Sequence, residues 1–174
     1  MAKVLIVYYS RTGNTREMAE TVAEGAREVL RSEVTVKPVD QCAVEDMVAV
    51  DAIIMGTPVY YGTMAAELKA FLDGSVSHHG DLVGKVGGAF ATCGVLGGGC
   101  ETAVLDMLKA WLIHGMVVQG DPVGSHYGPV AVGAPDERAR QDCLKLGRSV
   151  ATLADRLAHR QPGGAGRPSP VCGA

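Results

Sequence analysis

The sequence predicts an α/β domain in which helices cover both faces of an open parallel sheet. Three observations predict this fold: short β-branched runs alternate with amphipathic helical segments, the chain has 174 residues, and 47% of them are hydrophobic. Strands that are buried on both faces are typically such continuous apolar runs. This length suits one domain with a sizeable core. We therefore expect one domain over residues 1–160 and a disordered Gly- and Pro-rich tail over 161–174.

The predicted elements follow one another in a regular order. Strands are expected at residues 3–8, 34–39, 51–57, 84–92 and 116–118, with a short extension at 129–132. A first helix is expected through residue 31, because apolar residues recur at helical spacing from Met18, and further helices at 43–50, 64–72, 101–113 and 136–158. Ligands of such sheets bind beyond the carboxyl ends of the strands. The loops after the first, third and fourth strands therefore form the candidate site.

Composition and charge exclude several classes of function. The formal net charge of -3 gives no basic surface for nucleic acid, and it is small for a strongly acidic electron carrier. The apolar run at residues 4–9 is much shorter than the roughly 20 residues of a membrane span. No secretory signal follows it, so we expect a cytoplasmic protein without a membrane span. The five cysteines form no C-x-x-C pair, which argues against a disulfide framework or a metal site.

The first candidate loop is rich in neutral hydrogen-bond donors. It consists of Ser10, Arg11, Thr12, Gly13, Asn14 and Thr15. The next helix opens here, so its free amide groups and the positive end of its dipole favour a phosphate. Neither a Walker motif nor a G-x-G-x-x-G fingerprint is present, which excludes those two kinds of nucleotide loop. The alternative is a plain N-cap, but one cap does not explain four such polar residues in six.

Two further loops are suited to hold a flat ring. The second loop follows the third strand, which we expect Pro58 to end, and it comprises Pro58, Val59, Tyr60, Tyr61 and Gly62. A ring can stack on its tyrosines, although we expect one of them to pack in the core. The third loop comprises Thr92, Cys93, Gly94, Val95, Leu96, Gly97 and Gly98. Its glycines let the backbone approach a ligand closely, and a flexible linker is the alternative.

His114 follows the fourth long helix and has two interpretations that stay open. It is the candidate catalytic residue, but a histidine at a helix C-terminus also stabilises the helix dipole. The neighbouring His78 and His79 do not share a helix face, and no carboxylate or cysteine is spaced to complete a zinc site with them. We expect these two histidines to lie in a solvated loop.

Taken together, these loops resemble those of the flavodoxin-like superfamily. The segment SRTGNT at residues 10–15 is similar to its phosphate-binding signature. The chain further resembles the WrbA-type NAD(P)H:quinone oxidoreductases over residues 1–157, through MAKVLIVYYS at 1–10, DAIIMGTP at 51–58, GGG-x-E at 97–101, HGM at 114–116 and YGP at 127–129. The resemblance implies a five-stranded parallel sheet of order 2-1-3-4-5. It also implies a homo-oligomer, a dimer or a tetramer.

The same resemblance implies a cofactor, a reaction and roles for the loops. The cofactor would be FMN, with its phosphate on residues 10–15 and its ring between loops 58–62 and 92–98. His114 matches the active-site histidine of the family. The implied reaction is two-electron transfer from NAD(P)H through FMN to a quinone by a ping-pong mechanism. The chain departs from the family at residues 75–81, where no tryptophan lines a quinone pocket, and it lacks an insertion between the second and third strands.

Two other functions are compatible with the same loops. One is a flavodoxin-type carrier that passes single electrons to a protein partner. The other is a flavin-binding regulatory protein without catalytic turnover. The modest net charge and the HGM segment favour the oxidoreductase over the carrier.

Overall fold

The sheet forms from the β-branched runs that the sequence places between helices. The structure is a computed structural model that describes residues 1–159 of the chain. The predicted disordered tail, residues 161–174, lies outside the described residues. Each described element begins and ends within about three residues of its predicted counterpart, except the first helix, which ends at Arg27 rather than at residue 31.

Seven strands take part in the sheet. They are β1 (Ala2–Tyr8), β2 (Ser32–Pro38), β3 (Ala52–Tyr60), β4 (Thr63–Met64), β5 (Val86–Cys93), β6 (Val117–Val118) and β7 (Val130–Val132). The main path runs β2-β1-β3-β5-β6, and every pair on this path is parallel. β4 pairs antiparallel with β3, and β7 pairs parallel with β5. The predicted α/β fold is confirmed, whereas the predicted five strands in the order 2-1-3-4-5 are corrected to seven.

Helices cover both faces of this sheet. They are α1 (Asn14–Arg27), α2 (Val44–Val48), α3 (Ala66–Gly74), α4 (Cys100–Ile113) and α5 (Glu137–Ala158), with short 3-10 turns at Val39–Gln41 and Ser75–His78. Alternate side chains of β1 enter opposite cores: Val4 and Ile6 pack under α1 and α5, while Leu5 and Val7 pack under α3 and α4. This two-sided burial is the physical reason that the central strands are apolar throughout.

Two glycines bring α1 and α5 into backbone contact. A Cβ atom on Gly147 would lie 2.0 Å from the carbonyl oxygen of Val22, and one on Gly25 would lie 2.1 Å from that of Leu144. Any side chain at either position would force the helices apart. The pair therefore fixes how α1, and with it the loop at its amino end, sits on the sheet.

The third strand continues through Pro58, contrary to the prediction that this proline ends it. β1 pairs with β3 only as far as Gly56, whereas β5 pairs with it as far as Pro58. Beyond Gly56 the β1 side of the strand has no partner, and proline is tolerated at such an edge because its missing N–H is not needed. The extension matters because it carries the second candidate loop outward as a hairpin.

The last strand of the sheet is divided into two pieces. β6 pairs with Val86 and Gly87 at the start of β5, and β7 pairs with residues 91–93 at its end. The connection between them leaves the sheet and is held to α5, where Lys145 Nζ lies 2.6 Å from Asp121 Oδ2. None of the helices in residues 1–159 combines the length and the apolar character needed to cross a membrane.

Candidate functional site

The amino end of α1 is left open for an anion. Gly13 occupies the N-cap position with φ 103° and supplies no side chain, and no side chain of the loop caps the helix. Ser10 Oγ instead accepts a hydrogen bond from the Gly13 N–H at 3.1 Å. By contrast, α5 has an ordinary cap, in which Asp136 accepts from the Ala139 N–H at 2.8 Å. The first amide groups of α1, at residues 14–16, therefore have no partner within the helix and can bind a phosphate.

The two threonines of this loop have different environments. Thr12 is exposed, whereas Thr15 is 2% exposed and its hydroxyl lies 2.8 Å from that of Thr92. Thr92 belongs to the end of β5, 77 positions further along the chain. The buried hydroxyl pair therefore ties the phosphate loop to the third candidate loop, and only Thr12 presents a free hydroxyl to solvent.

The second candidate loop is a tight hairpin between β3 and β4. Tyr60 pairs with Thr63, and the two residues between them, Tyr61 at φ 49° and Gly62 at φ 80°, form the turn. Two-residue turns with positive φ at both positions match the twist of the flanking strands. Neither tyrosine packs in the core, contrary to expectation: Tyr60 is half-buried and Tyr61 is fully exposed.

The hairpin is tied to the first turns of α4. Thr102 Oγ1 donates to the Gly62 carbonyl at 2.6 Å, and Thr63 Oγ1 donates to Asp106 Oδ2 at 2.5 Å. A Cβ atom on Gly99 would lie 2.7 Å from the Cα of Gly62, so the two backbones touch. These contacts place the hairpin directly beside the glycine-rich loop.

The glycine-rich loop projects from between β5 and α4. Residues 94–97 are exposed, and the Gly98 N–H closes a turn on the carbonyl of Val95 at 3.0 Å. The Cys93 thiol donates to the same carbonyl at 3.3 Å. Cys100, at the start of α4, contacts Cys93, and burial raises the pKa of the Cys100 thiol. The cysteines thus anchor the two ends of the loop, while its exposed middle keeps free backbone groups.

The three loops meet at one edge of the sheet. Thr15 joins the first loop to the third, and the Tyr9 N–H joins the first loop to β3 through the Gly56 carbonyl at 3.1 Å. Their strands β1, β3 and β5 are adjacent, about 4.8 Å apart, and end at the same edge. The eighteen residues that the sequence assigns to cofactor binding therefore lie at one edge of the sheet, with Thr15, Thr92 and Cys93 buried beneath the exposed parts of the loops.

His114 lies toward the opposite edge of the sheet, so the structure does not bring it together with the three loops of its own chain, and its catalytic role stays a prediction. It follows the 14-residue α4, which begins at the glycine-rich loop and, at 1.5 Å per residue, is about 21 Å long. The residue precedes β6, which pairs with the amino end of β5. The side chain is 8% exposed and borders a cavity of about 850 Å³ between α3 and α4, which also reaches Thr63 and Met64 of β4. His114 occupies the C-cap position of α4.

Hydrogen bonding fixes the tautomer of His114. Ser75 Oγ donates to the Leu72 carbonyl at 2.7 Å, so its single proton is used and it accepts from His114 Nε2–H at 2.8 Å. The Nδ1 atom is buried and has no partner among residues 1–159. Burial, and secondly the nearby His79, lower the pKa of His114, so the folded protein holds it neutral.

Sequence reasoning missed two sets of residues around the site. The first set, Thr102 and Asp106, binds the hairpin. In the sequence, only their spacing of four residues, which places both on one face of a helix, indicates that they act together. The second set, Arg16 and Asp40, lines a cavity of about 870 Å³ next to the phosphate loop. Its signal was the position of Asp40 directly after β2, at the same sheet edge as the three loops.

Known proteins share this fold. A family model described as "Flavodoxin domain" matches residues 5–97. A flavodoxin of Aquifex aeolicus is 40% identical over 159 residues, covering 87% of this chain and 86% of the relative. An NAD(P)H dehydrogenase (quinone) of Archaeoglobus fulgidus is 34% identical over 191 residues, covering 90% and 100%.

Solved structures give the same result. A WrbA-like flavodoxin from Agrobacterium tumefaciens superimposes with a TM-score of 0.76 at 28% identity, covering 90% of this chain and 99% of that one. A flavodoxin from the domain Archaea gives 0.73 at 26% identity, covering 88% and 99%. The chain therefore belongs to the flavodoxin family. The resemblance to its WrbA-type members is confirmed as well.

Membership of this family confirms the prediction of FMN as the cofactor. The residues present fit it. The open amide end of α1 suits a monophosphate, because neutral donors and the helix dipole attract the dianion without a lysine. The hairpin and the glycine-rich loop lie side by side, so one flat ring can bind between them.

The buried hydroxyl pair predicts a difference between two otherwise similar substitutions. Thr15→Val leaves the Thr92 hydroxyl buried without its partner, which costs about 1–3 kcal/mol of unfolding free energy. Thr12→Val, at an exposed position, should leave the unfolding free energy within about 0.5 kcal/mol of the wild type. Urea unfolding of the protein without flavin measures both. Equal unfolding free energies for the two variants would contradict the assignment.

The neutral His114 predicts how stability depends on pH. Because its folded pKa lies below the unfolded value of about 6.5, the unfolded chain takes up the proton first on acidification. The His114 contribution to stability is therefore complete above about pH 6.5 and is lost as pH falls toward the lower folded pKa. His114→Gln should lose less unfolding free energy than the wild type between pH 7 and pH 5. His126→Gln, in the loop between β6 and β7, is the control. If the unfolding free energy of His114→Gln depends on pH as steeply as that of the wild type, the assignment is wrong.

Proposed function

We propose that the chain is an FMN-dependent NAD(P)H:quinone oxidoreductase that works by a ping-pong mechanism. The observation that carries the proposal is an exposed apolar rim on the two ring-side loops. Tyr61 is fully exposed, and Val95 and Leu96 are 65% and 91% exposed. Apolar side chains displayed around a ligand site are typical of a surface that receives a flat apolar molecule. The quinone-reducing relative from Archaeoglobus fulgidus supports the same function.

The chain's own residues would share the work of binding and positioning. Residues 10–15 hold the phosphate, and residues 58–62 and 92–98 hold the two sides of the ring. When bound, FMN would supply the chemistry of hydride transfer between the nicotinamide and the quinone. Backbone N–H groups of the glycine-rich loop orient the ring, and the apolar rim of Tyr61, Val95 and Leu96 positions each substrate above it.

The two substrates would take turns at the same face of the site. The nicotinamide product would leave before the quinone arrives, because both flat substrates would stack on the same face of the ring beside the exposed rim. NAD(P)H, a quinone and one proton give NAD(P)⁺ and a hydroquinone. His114 is not placed to deliver that proton, since it lies at the other edge of the sheet. Solvent at the open face supplies it.

A one-electron carrier is the second candidate. It is favoured by one observation, the 40% identity to the Aquifex aeolicus flavodoxin, which exceeds the identity to the quinone-reducing relative. A carrier would present the exposed rim to a protein partner instead of a small molecule. The two candidates differ in whether electrons leave in pairs or singly.

Steady-state kinetics of the FMN-loaded protein distinguish the candidates. With NADH or NADPH and either benzoquinone or menadione, we expect turnover and parallel lines in double-reciprocal plots. A potentiometric titration should show a single two-electron transition. Absence of turnover with every quinone, together with two well-separated one-electron transitions, would establish the carrier instead.

Substitution of the rim tests where the quinone binds. Leu96→Ser removes exposed apolar surface, and we expect the KM for menadione to rise several-fold. FMN affinity should change less, because this loop holds the ring through its backbone N–H groups. Val123→Ser is the matched control, because Val123 is 74% exposed in the loop between β6 and β7. Equal KM values for the two variants would show that the rim does not contact the quinone.

A further inference from the structure

A second cavity adjoins the phosphate loop but not the two ring-side loops. It has a volume of about 870 Å³ and lies beyond the carboxyl ends of β1 and β2. Residues 10–13 form its border with the phosphate site, and the 3-10 turn Val39–Gln41 and α3 form the far side. No residue of 58–62 or 92–98 lines it. FMN with its phosphate on residues 10–13 and its ring between those loops would therefore reach only the near border of this cavity and leave the side formed by the 3-10 turn and α3 free.

Unpaired charges of both signs border the cavity. Arg11 and Arg16 stand on the phosphate-loop side, and Asp40 stands opposite, directly after β2. All three are exposed, and none forms an ion pair with another residue of 1–159. Two guanidinium groups suit a diphosphate, because their planar donors bind phosphate oxygens in pairs. A carboxylate at a distance from them suits hydroxyl donors rather than a second anion.

The floor of the cavity is apolar and aromatic. Val39 and Phe71 are each 9% exposed, and Tyr9 is half-buried beside them. Glu67, chiefly through a side-chain hydrogen bond, raises the pKa of Tyr9. Aromatic rings stack on flat heterocycles.

We propose that this cavity binds the adenosine diphosphate half of a nicotinamide dinucleotide. The diphosphate lies beside Arg11 and Arg16, the adenine ribose donates its hydroxyls to Asp40, and the adenine rests on Tyr9 and Phe71. Asp40 directly follows β2 and is exposed, and a carboxylate of this kind accepts hydrogen bonds from ribose hydroxyls. The inference rests on the proposed function, since it presumes that a nicotinamide dinucleotide is the reductant.

The distance across the sheet agrees with such a ligand. β5, whose loop faces the ring, and β2, which Asp40 follows, are separated by three strand spacings, or about 14 Å. An extended dinucleotide places its two rings at a comparable separation. Its nicotinamide can therefore reach the flavin face while its adenine occupies the cavity.

The arrangement also predicts which dinucleotide is preferred. NADPH carries a phosphate on the ribose 2′-oxygen, so it lacks the hydroxyl that Asp40 accepts and brings a dianion to a carboxylate. Like charges at short range without an intervening cation repel. The chain should therefore prefer NADH, and Asp40→Asn should reduce that preference.

Binding of ADP-ribose to the FMN-loaded protein tests the site without any turnover. We expect calorimetry to show one ADP-ribose per chain, with weaker binding of the 2′-phosphorylated analogue. Asp40→Ala should weaken ADP-ribose binding about tenfold or more, because hydrogen bonds to a charged acceptor are lost. Glu33→Ala is the control: Glu33 is an exposed acid at the other end of β2, and its loss should change nothing.

The outcomes separate this inference from the proposed function. If ADP-ribose does not bind, or binds wild type and Asp40→Ala equally, the cavity assignment is wrong even if NADH reduces quinones. If ADP-ribose binds through Asp40 while no quinone is turned over, the site stands and the oxidoreductase function fails. In a protein that does turn over, Asp40→Ala should raise the KM for NADH with little change in kcat.

Discussion

The open amino end of α1 is the constraint on which the rest of the site depends. A helix end that carries no side-chain cap must satisfy its first amide groups from outside. Here Gly13 turns the chain into the helix with a positive φ and no side chain, so the amides face the sheet edge. An anion at that point is favoured by both hydrogen bonding and the helix dipole. The ligand's position then follows from where α1 sits.

Contacts with neighbouring elements fix the position of the amino end of α1 relative to the other two loops. The backbone contact at Gly25 and Gly147 sets α1 against α5, and the Thr15–Thr92 hydroxyl pair joins the phosphate loop to β5. The hairpin is held independently, by Thr102 on α4. Each loop is thus fixed to an element other than its own, which gives a preformed site on a rigid sheet.

The sequence was sufficient to predict the fold class and the three loops for a simple physical reason. Runs buried on both faces carry no alternation, and the loops that follow parallel strands must meet at one edge. Long-range pairing, by contrast, left no local signal. Pro58 lies beyond the last residue of β3 that pairs with β1, and this position depends on the register between the two strands. The two short strands β6 and β7 lie at the same edge because β5 is long enough to pair with both.

His114 shows the limit of carrying a role over from a motif. Its segment resembles that of the WrbA-type enzymes, yet the length of α4 takes it to the far edge of its own chain. Asp40 shows the converse: it belongs to no recognised motif, and only the folded chain brings it across a cavity from Arg11. In both cases topology decides what a residue can touch.

The central claim, that the uncapped end of α1 binds the cofactor phosphate, is tested most directly by comparing two flavins. FMN and riboflavin share the ring and the ribityl chain and differ only in the phosphate. The account predicts that the protein without flavin binds FMN at least about tenfold more tightly than riboflavin, and that inorganic phosphate competes with FMN. Equal dissociation constants for FMN and riboflavin, measured by fluorescence titration, would contradict it.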